Sequence, residues 1–202
     1  MQSVIADPSL APLGHQKIDW VAAHSPVLNR LFDEVLNDGS LKGRRIAVVV
    51  HLEAKTAYLA LLLQKAGAHV IASSSNLHST QDAVCAALVE RGVQVFARHG
   101  VSQEEFERDL ERVLEARPEF IIDDGAELVG RAVRRGGDIL AGIRGSSEET
   151  TTGVMKLQAM ASEGKLPFPA IAANHAMCKH LFDNRYGTGH STLGAIMSAT
   201  NL

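Results

Sequence analysis

Polar side chains able to accept, donate or shuttle protons recur at one kind of place in this sequence, directly after short apolar runs. His51 follows residues 45–50, Ser73-Ser74-Ser75-Asn76 follows 70–72, His99 comes soon after 93–96, and Asp123-Asp124-Gly125 follows 120–122. Asn174-His175 follows 169–173, and the densest polar stretch runs from Arg144 to Thr152. A single such residue has a plain use, because Ser and Asp cap the helices that begin there, as expected of Ser74 and Ser102. A full ring of them favours a binding cleft.

Three spacings carry more specific chemistry. Lys179 and Asp183 are four apart, so one helical turn presents a cation and a carboxylate to the same edge of a ligand. On an open surface such a pair is worth only a few tenths of a kcal/mol. Ser146 and Glu149 have the spacing of a capping box, and the alternative is that Glu149 and the hydroxyls of Thr150, Thr151 and Thr152 face a ligand. His51 is suited to proton transfer near neutral pH. Cys178 stands near His175 and His180, where a buried or incidental thiol is expected rather than thiolate chemistry, and the two histidines, five apart, miss the i,i+4 spacing of a helical metal pair, so no metal site is expected.

The elements that must position these groups follow from the hydrophobic rhythm. Short apolar runs at 45–50, 70–72, 93–96, 120–122, 138–143 and 169–173 predict strands, and amphipathic stretches at 56–64, 81–90, 102–116, 126–135, 150–163 and 190–200 predict helices. Residues 19–36 predict a further helix with a break near Pro26, and residues 1–17, which hold Pro8, Pro12 and Gly14, read as a loose lead-in. Continuous apolar strands alternating with helices imply an α/β fold, a three-layer αβα sandwich on a parallel sheet of the Rossmann-like or flavodoxin-like kind, in one domain over 18–202. Ligands of such sheets lie at the carboxyl ends of the strands, where the strand order reverses.

Bulk properties exclude other classes. With 20 Lys+Arg against 23 Asp+Glu, a formal charge of -3 gives no field to hold a nucleic-acid backbone. No apolar run approaches the roughly 20 residues of a membrane span. The 2 cysteines and the lack of a charged-then-apolar leader point to the reducing cytoplasm.

Ser146-Ser147-Glu148-Glu149-Thr150-Thr151-Thr152-Gly153-Val154 resembles a signature of S-adenosylhomocysteine hydrolases, as do Phe182-Asp183-Asn184 with Tyr186-Gly187, Ser79-Thr80-Gln81-Asp82, Ile122-Asp123-Asp124-Gly125 and Pro169-Ala170-Ile171. The match runs in the family's order from about Lys42 to the C-terminus. That family oxidises the 3'-hydroxyl of a bound nucleoside with NAD, eliminates the 5' thioether, adds water and reduces again. The resemblance implies that Lys179 and Asp183 hold the ribose diol, with Lys179 as base at the 3'-oxygen. Glu149 would accept a ribose hydroxyl, Asn174 would orient the sugar, and His51 and Asp124 would act as acid and base near the 5' carbon and the leaving sulfur. Thr150, Thr151, Thr152 and Asn184 would contact NAD supplied by a partner.

The chain departs from the family pattern in three places. Where the family continues from its strand-end histidine with Met-Thr, one residue, and then Glu or Gln, this sequence has His51-Leu52-Glu53-Ala54-Lys55. Lys55 has three donors and no acceptor, so it cannot take a hydrogen bond from an adenine amine. Glu53 and Lys55 pair with each other, read a different base or substituent, or are a neutral change at the surface. Thr188-Gly189-His190 stands where the family shows Cys-Arg-Glu or a close variant. The Gly-rich phosphate loop that follows in the family is not found before Leu202, so NAD is expected to come only through a partner chain. The expectation is an adenosylhomocysteinase-like hydrolase or lyase acting on a nucleoside or nucleoside thioether, in a homo-oligomer. The alternatives are a split subunit of an NAD-dependent enzyme and a non-catalytic nucleoside-binding module.

Overall fold

The computed structural model describes residues 2–201. Six strands, β1 (Arg45–Val49), β2 (His69–Ser73), β3 (Gln94–Phe96), β4 (Phe120–Asp123), β5 (Gly145–Glu148) and β6 (Ala170–Ala172), form one sheet in the order β3-β2-β1-β4-β5-β6. Every neighbouring pair is parallel. This is the Rossmann order rather than the flavodoxin one, and its reversal lies between β1 and β4.

Helices cover the sheet in two layers. α1 (Ala11–Ala23), α3 (Ala54–Lys65) and α4 (Asp82–Glu90) share one core with β1, β2 and β3, where Ile18, Val48, Leu52, Val84 and Leu88 are fully buried. α5 (Gln103–Glu115), α6 (Glu127–Arg135) and α8 (Thr151–Ser162) share the other, around Val49, Phe96, Leu110, Ile121 and Leu128. α2 (Pro26–Glu34) adds a smaller cluster in which Phe32 meets Leu62 and Ala66 of the α3 region. Ser102 and Glu105 form the capping box that opens α5. No described helix is long and apolar enough to cross a membrane.

Two sequence expectations are corrected. The segment read as a loose lead-in is ordered: Val4 pairs with the β3 edge through Val4 N–H to Val95 O (2.8 Å), and α1 begins at Ala11. Pro12 is tolerated because it sits in the first helical turn. Gly14 is required because a Cβ there would stand 1.9 Å from the carbonyl oxygen of Ala83, so α1 and α4 touch at the backbone. The strand expected at 138–143 is instead the short helix α7 (Gly137–Gly142), and the fifth strand is the polar segment Gly145–Glu148. Its pairing with β4 buries Gly145, Ser146 and Glu148 despite their lack of apolar side chains.

Beyond β6 the chain turns at Ala173–His175 and enters a π-helix over Lys179–His190, continued by α9 (Ser191–Thr200). Apolar side chains along this arm, among them Phe182, Tyr186, Leu193 and Ile196, are exposed.

Candidate functional site

The crevice at the β1/β4 reversal carries His51, two residues beyond the end of β1, and Asp124, directly after the end of β4. The right wall is built from the end of β5, the start of α8 and the π-helix. What holds this wall is a pair of buried carboxylates one residue short of the cleft.

Asp123 and Glu148 are register partners on β4 and β5, and both are fully buried. Glu148 accepts the backbone N–H groups of Gly125 (2.8 Å), Ala126 (2.9 Å) and Thr150 (2.9 Å), as well as the Thr150 hydroxyl (2.9 Å). Asp123 accepts the N–H groups of Asp124, Leu128 and Val129 at the start of α6. Burial, opposed by these amides and reinforced by the neighbouring Glu148, pushes the Asp123 carboxyl up to about 7. The glycine of the Thr-Thr-Thr-Gly run is explained here: a Cβ at Gly153 would lie 2.1 Å from Glu148 Oε1. Thr150, not Ser146, caps α8, its hydroxyl accepting Gly153 N–H at 3.0 Å. The Ser146/Glu149 capping box expected from spacing therefore does not form, because both residues precede the cap and Ser146 lies within β5.

Held in this way, Glu149 projects toward Lys179. The ammonium lies 2.9 Å from Glu149 Oε1, 2.9 Å from Asn174 Oδ1, 2.8 Å from Asn184 Oδ1 and 3.4 Å from Asp183 Oδ2. Asn174 is buried and ties the group to α8 by donating to the Thr151 hydroxyl (3.0 Å). The π-helix makes the double contact with Asp183 and Asn184 possible, since hydrogen bonding from i to i+5 widens the turn enough for both the i+4 and the i+5 side chains to flank Lys179. These groups line a cavity of about 660 Å³ that also takes in His51, Glu53, Lys55, Thr150 and Thr151. Its size falls in the roughly 300–1,000 Å³ range of small-molecule sites. Thr152 is exposed beside it, with its hydroxyl 3.4 Å from that of Thr150.

On the opposite lip, His51 Nε2 stands 3.4 Å from Asp124 Oδ2. The Asp124 carboxylate is buried and accepts the Ser75 hydroxyl at 2.7 Å, while His51 is half exposed and its Nδ1 meets Ser79 Oγ at 2.5 Å. Sequence reasoning noted Ser75 and Ser79 only as parts of a motif, and it assigned no role to Asp123 or Glu148. Two seryl residues in a polar loop and two carboxylates at strand ends give no periodic signal. Gly153, five residues after Glu148, was the one trace of the buried carboxylate.

Glu53 caps α3, accepting the N–H groups of Lys55 (3.0 Å) and Thr56 (3.3 Å). Among the described residues the Lys55 ammonium makes no ion pair, with Glu53 or otherwise; both side chains line the cavity. No group of three or more metal-ligating side chains occurs among the described residues.

The family model described as S-adenosyl-L-homocysteine hydrolase matches residues 2–138 and 131–201 in two overlapping segments. The chain belongs to that family. It is 46% identical over 200 residues to an S-inosyl-L-homocysteine hydrolase of Methanococcus maripaludis, matching 99% of this chain and 48% of the relative. It is 50% identical over 198 residues to an adenosylhomocysteinase of Pyrococcus abyssi, matching 98% of this chain and 47% of the relative. An adenosylhomocysteinase of Thermococcus kodakarensis is 48% identical over the same length, again with 47% of the relative covered. The chain thus spans about half the length of these S-adenosyl-L-homocysteine hydrolase relatives.

Proposed function

We propose that this cleft binds a purine nucleoside thioether of homocysteine and supplies the proton-transfer groups for cleaving its 5' carbon–sulfur bond. The observation that carries the reading is the convergence of Glu149, from the β5–α8 junction, with Lys179 and Asp183, from the π-helix, on one cavity that His51 shares. Two carboxylates flanking an ammonium match a vicinal diol, which needs acceptors for two O–H groups and a donor for their oxygens. His51 and Asp124 stand at the crevice of the strand reversal, as an acid and a base for the 5' carbon and the departing sulfur require.

The base preference follows from the other end of the cavity. Identity does not decide it, since S-inosyl and adenosyl relatives match this chain about equally. Chemistry does: Lys55 only donates and ionised Glu53 only accepts. A 6-oxopurine presents a carbonyl oxygen and an adjacent ring N–H, which this pair complements. Adenine presents an amine and a bare ring nitrogen, the inverse pattern. The chain therefore takes S-inosylhomocysteine in preference to S-adenosylhomocysteine.

NAD bound beside the ribose would accept and return the hydride of the 3' carbon. The exposed residues Thr151, whose hydroxyl already accepts from Asn174, and Thr152, with the half-buried amide of Asn184, suit the polar groups of a nicotinamide riboside, whereas the Thr150 hydroxyl is turned inward to Glu148. The test is calorimetric titration of the purified chain with S-inosyl- and S-adenosylhomocysteine, each with and without NAD, followed by mass analysis for free homocysteine. Tighter binding of the inosyl thioether is expected. Failure of both thioethers to bind would refute the reading.

A further inference from the structure

The proton-transfer reading leaves open which ring nitrogen of His51 carries the proton, and the surroundings decide it. We propose that Ser79 is a positioning residue whose hydroxyl donates to His51 Nδ1, holding the neutral ring with its proton on Nε2, toward Asp124 and the cleft.

The argument is an accounting of donors around two atoms. The Asn76 carbonyl oxygen lies within hydrogen-bond distance of the hydroxyls of Ser74 (2.9 Å), Ser79 (3.2 Å) and Thr80 (3.3 Å) and of Ser79 N–H (3.4 Å). A carbonyl has two lone pairs, so not all of these donors are satisfied there. Ser79 is the one with a better use for its proton, since Nδ1 is only 2.5 Å from its oxygen. On the far side of the ring, Nε2 faces Asp124 Oδ2 at 3.4 Å, the same oxygen that accepts the Ser75 hydroxyl. A neutral ring protonated on Nδ1 would point the Nε2 lone pair at a buried carboxylate oxygen. A ring protonated on Nε2 points a proton there instead. Both sides of the ring therefore select the same tautomer.

The same geometry serves the charged ring. When Nδ1 also gains a proton, the Ser79 hydroxyl turns to donate to Asn76 O and accepts from Nδ1–H, with no movement of the loop. Ser79 thus supports both protonation states that a proton-transferring histidine must visit, while Asp124 stays on the Nε2 side in each. This role rests on the functional reading of His51; the tautomer itself does not.

The test is nitrogen-15 NMR of the ligand-free chain at about pH 8.5, above the ordinary imidazole range. His51 is assigned by the loss of its signals in His51→Gln. The expected spectrum has the proton on Nε2, with Nδ1 shifted from the value of a free unprotonated nitrogen by the hydrogen bond it accepts. Ser79→Ala should abolish that shift, and Ser79→Thr, which keeps the hydroxyl, should restore it. A wild-type ring protonated on Nδ1 overturns the proposal whether or not the variants fold, as does an Nδ1 signal indifferent to Ser79→Ala. Adding S-inosylhomocysteine to the wild type separates the two ideas. If the ligand moves the His51 signals while Ser79→Ala leaves Nδ1 unchanged, the positioning role falls and the binding reading stands. If Nδ1 responds to Ser79 but the ligand moves nothing, the tautomer assignment stands and the binding reading falls.

Discussion

At the scale of single residues, the cleft divides its polar groups between those that hold the scaffold and those left facing the cavity. Lys179 has three N–H donors, and in the ligand-free cleft Asn174, Asn184 and Glu149 take all three at 2.8–2.9 Å, so a ribose oxygen must displace one of them to be served. Its removal takes the shared cation away from Glu149, Asp183 and the Asn184 side-chain carbonyl, and leaves Asn174 Oδ1 with only the long bond from the Asn184 amide (3.5 Å). Lys179→Ala should therefore weaken nucleoside thioether binding roughly 10- to 100-fold, the worth of hydrogen bonds to a charged group, and calorimetry would read the loss. At the base end, Lys55→Gln restores an acceptor beside the purine 6-position. The preference for the inosyl over the adenosyl thioether should shrink about tenfold, which paired titrations of the two ligands would measure. An unchanged ratio would remove Lys55 from base recognition. Lys179, Asp183, Glu149 and His51 were legible in the sequence through spacing and resemblance. Ser75, Ser79 and Glu148 were not, because their roles depend on partners 23 to 49 positions away in the chain.

At the scale of elements, the site depends on a strand that hydrophobicity does not reveal. β5 is Gly-Ser-Ser-Glu, and it pairs between β4 and β6 because small residues fit and because Glu148 finds three amides and a hydroxyl at its end. The apolar run just before it, Ile139-Leu140-Ala141, looks like the strand but forms α7. The first helix was obscured by Pro12 and Gly14, each of which has a positional reason that only the packed structure supplies. The π-helix is equally silent in sequence, where spacing promised Asp183 as a neighbour of Lys179 but not Asn184. Gly153→Ala tests the β5–α8 corner. Its methyl must displace the Glu148 carboxylate, and overpacking of this kind costs about 1–3 kcal/mol or more. Urea unfolding should show that loss. A variant as stable as the parent would mean that Glu148 does not hold the corner together.

At the scale of the whole molecule, the alternation of strands and helices and the parallel sheet were readable from the apolar rhythm apart from β5, and the reversal between β1 and β4 places the cleft. The fold also buries a titratable group that links global stability to pH. Asp123 has its carboxyl raised to about 7, against roughly 3.9 in an unfolded chain. The folded state therefore holds a proton that the unfolded state releases between these values. Its stabilising contribution is complete below about pH 4 and is lost as pH rises through about 7, by up to a few kcal/mol. Denaturant midpoints measured across this window should fall with rising pH more steeply in the parent than in Asp123→Asn, which cannot ionise. Parallel profiles would show that Asp123 is ionised in both states.

The claim on which the account turns is that Glu149, Asp183 and Lys179 grip a ribose diol. It is tested most directly by titrating the chain with S-inosylhomocysteine and with its 3'-deoxy analogue, which differ by one hydroxyl. Loss of that hydroxyl should weaken binding at least about tenfold, since it leaves charged partners unmatched. Equal affinity for the two ligands would contradict the assignment of this cluster to the sugar.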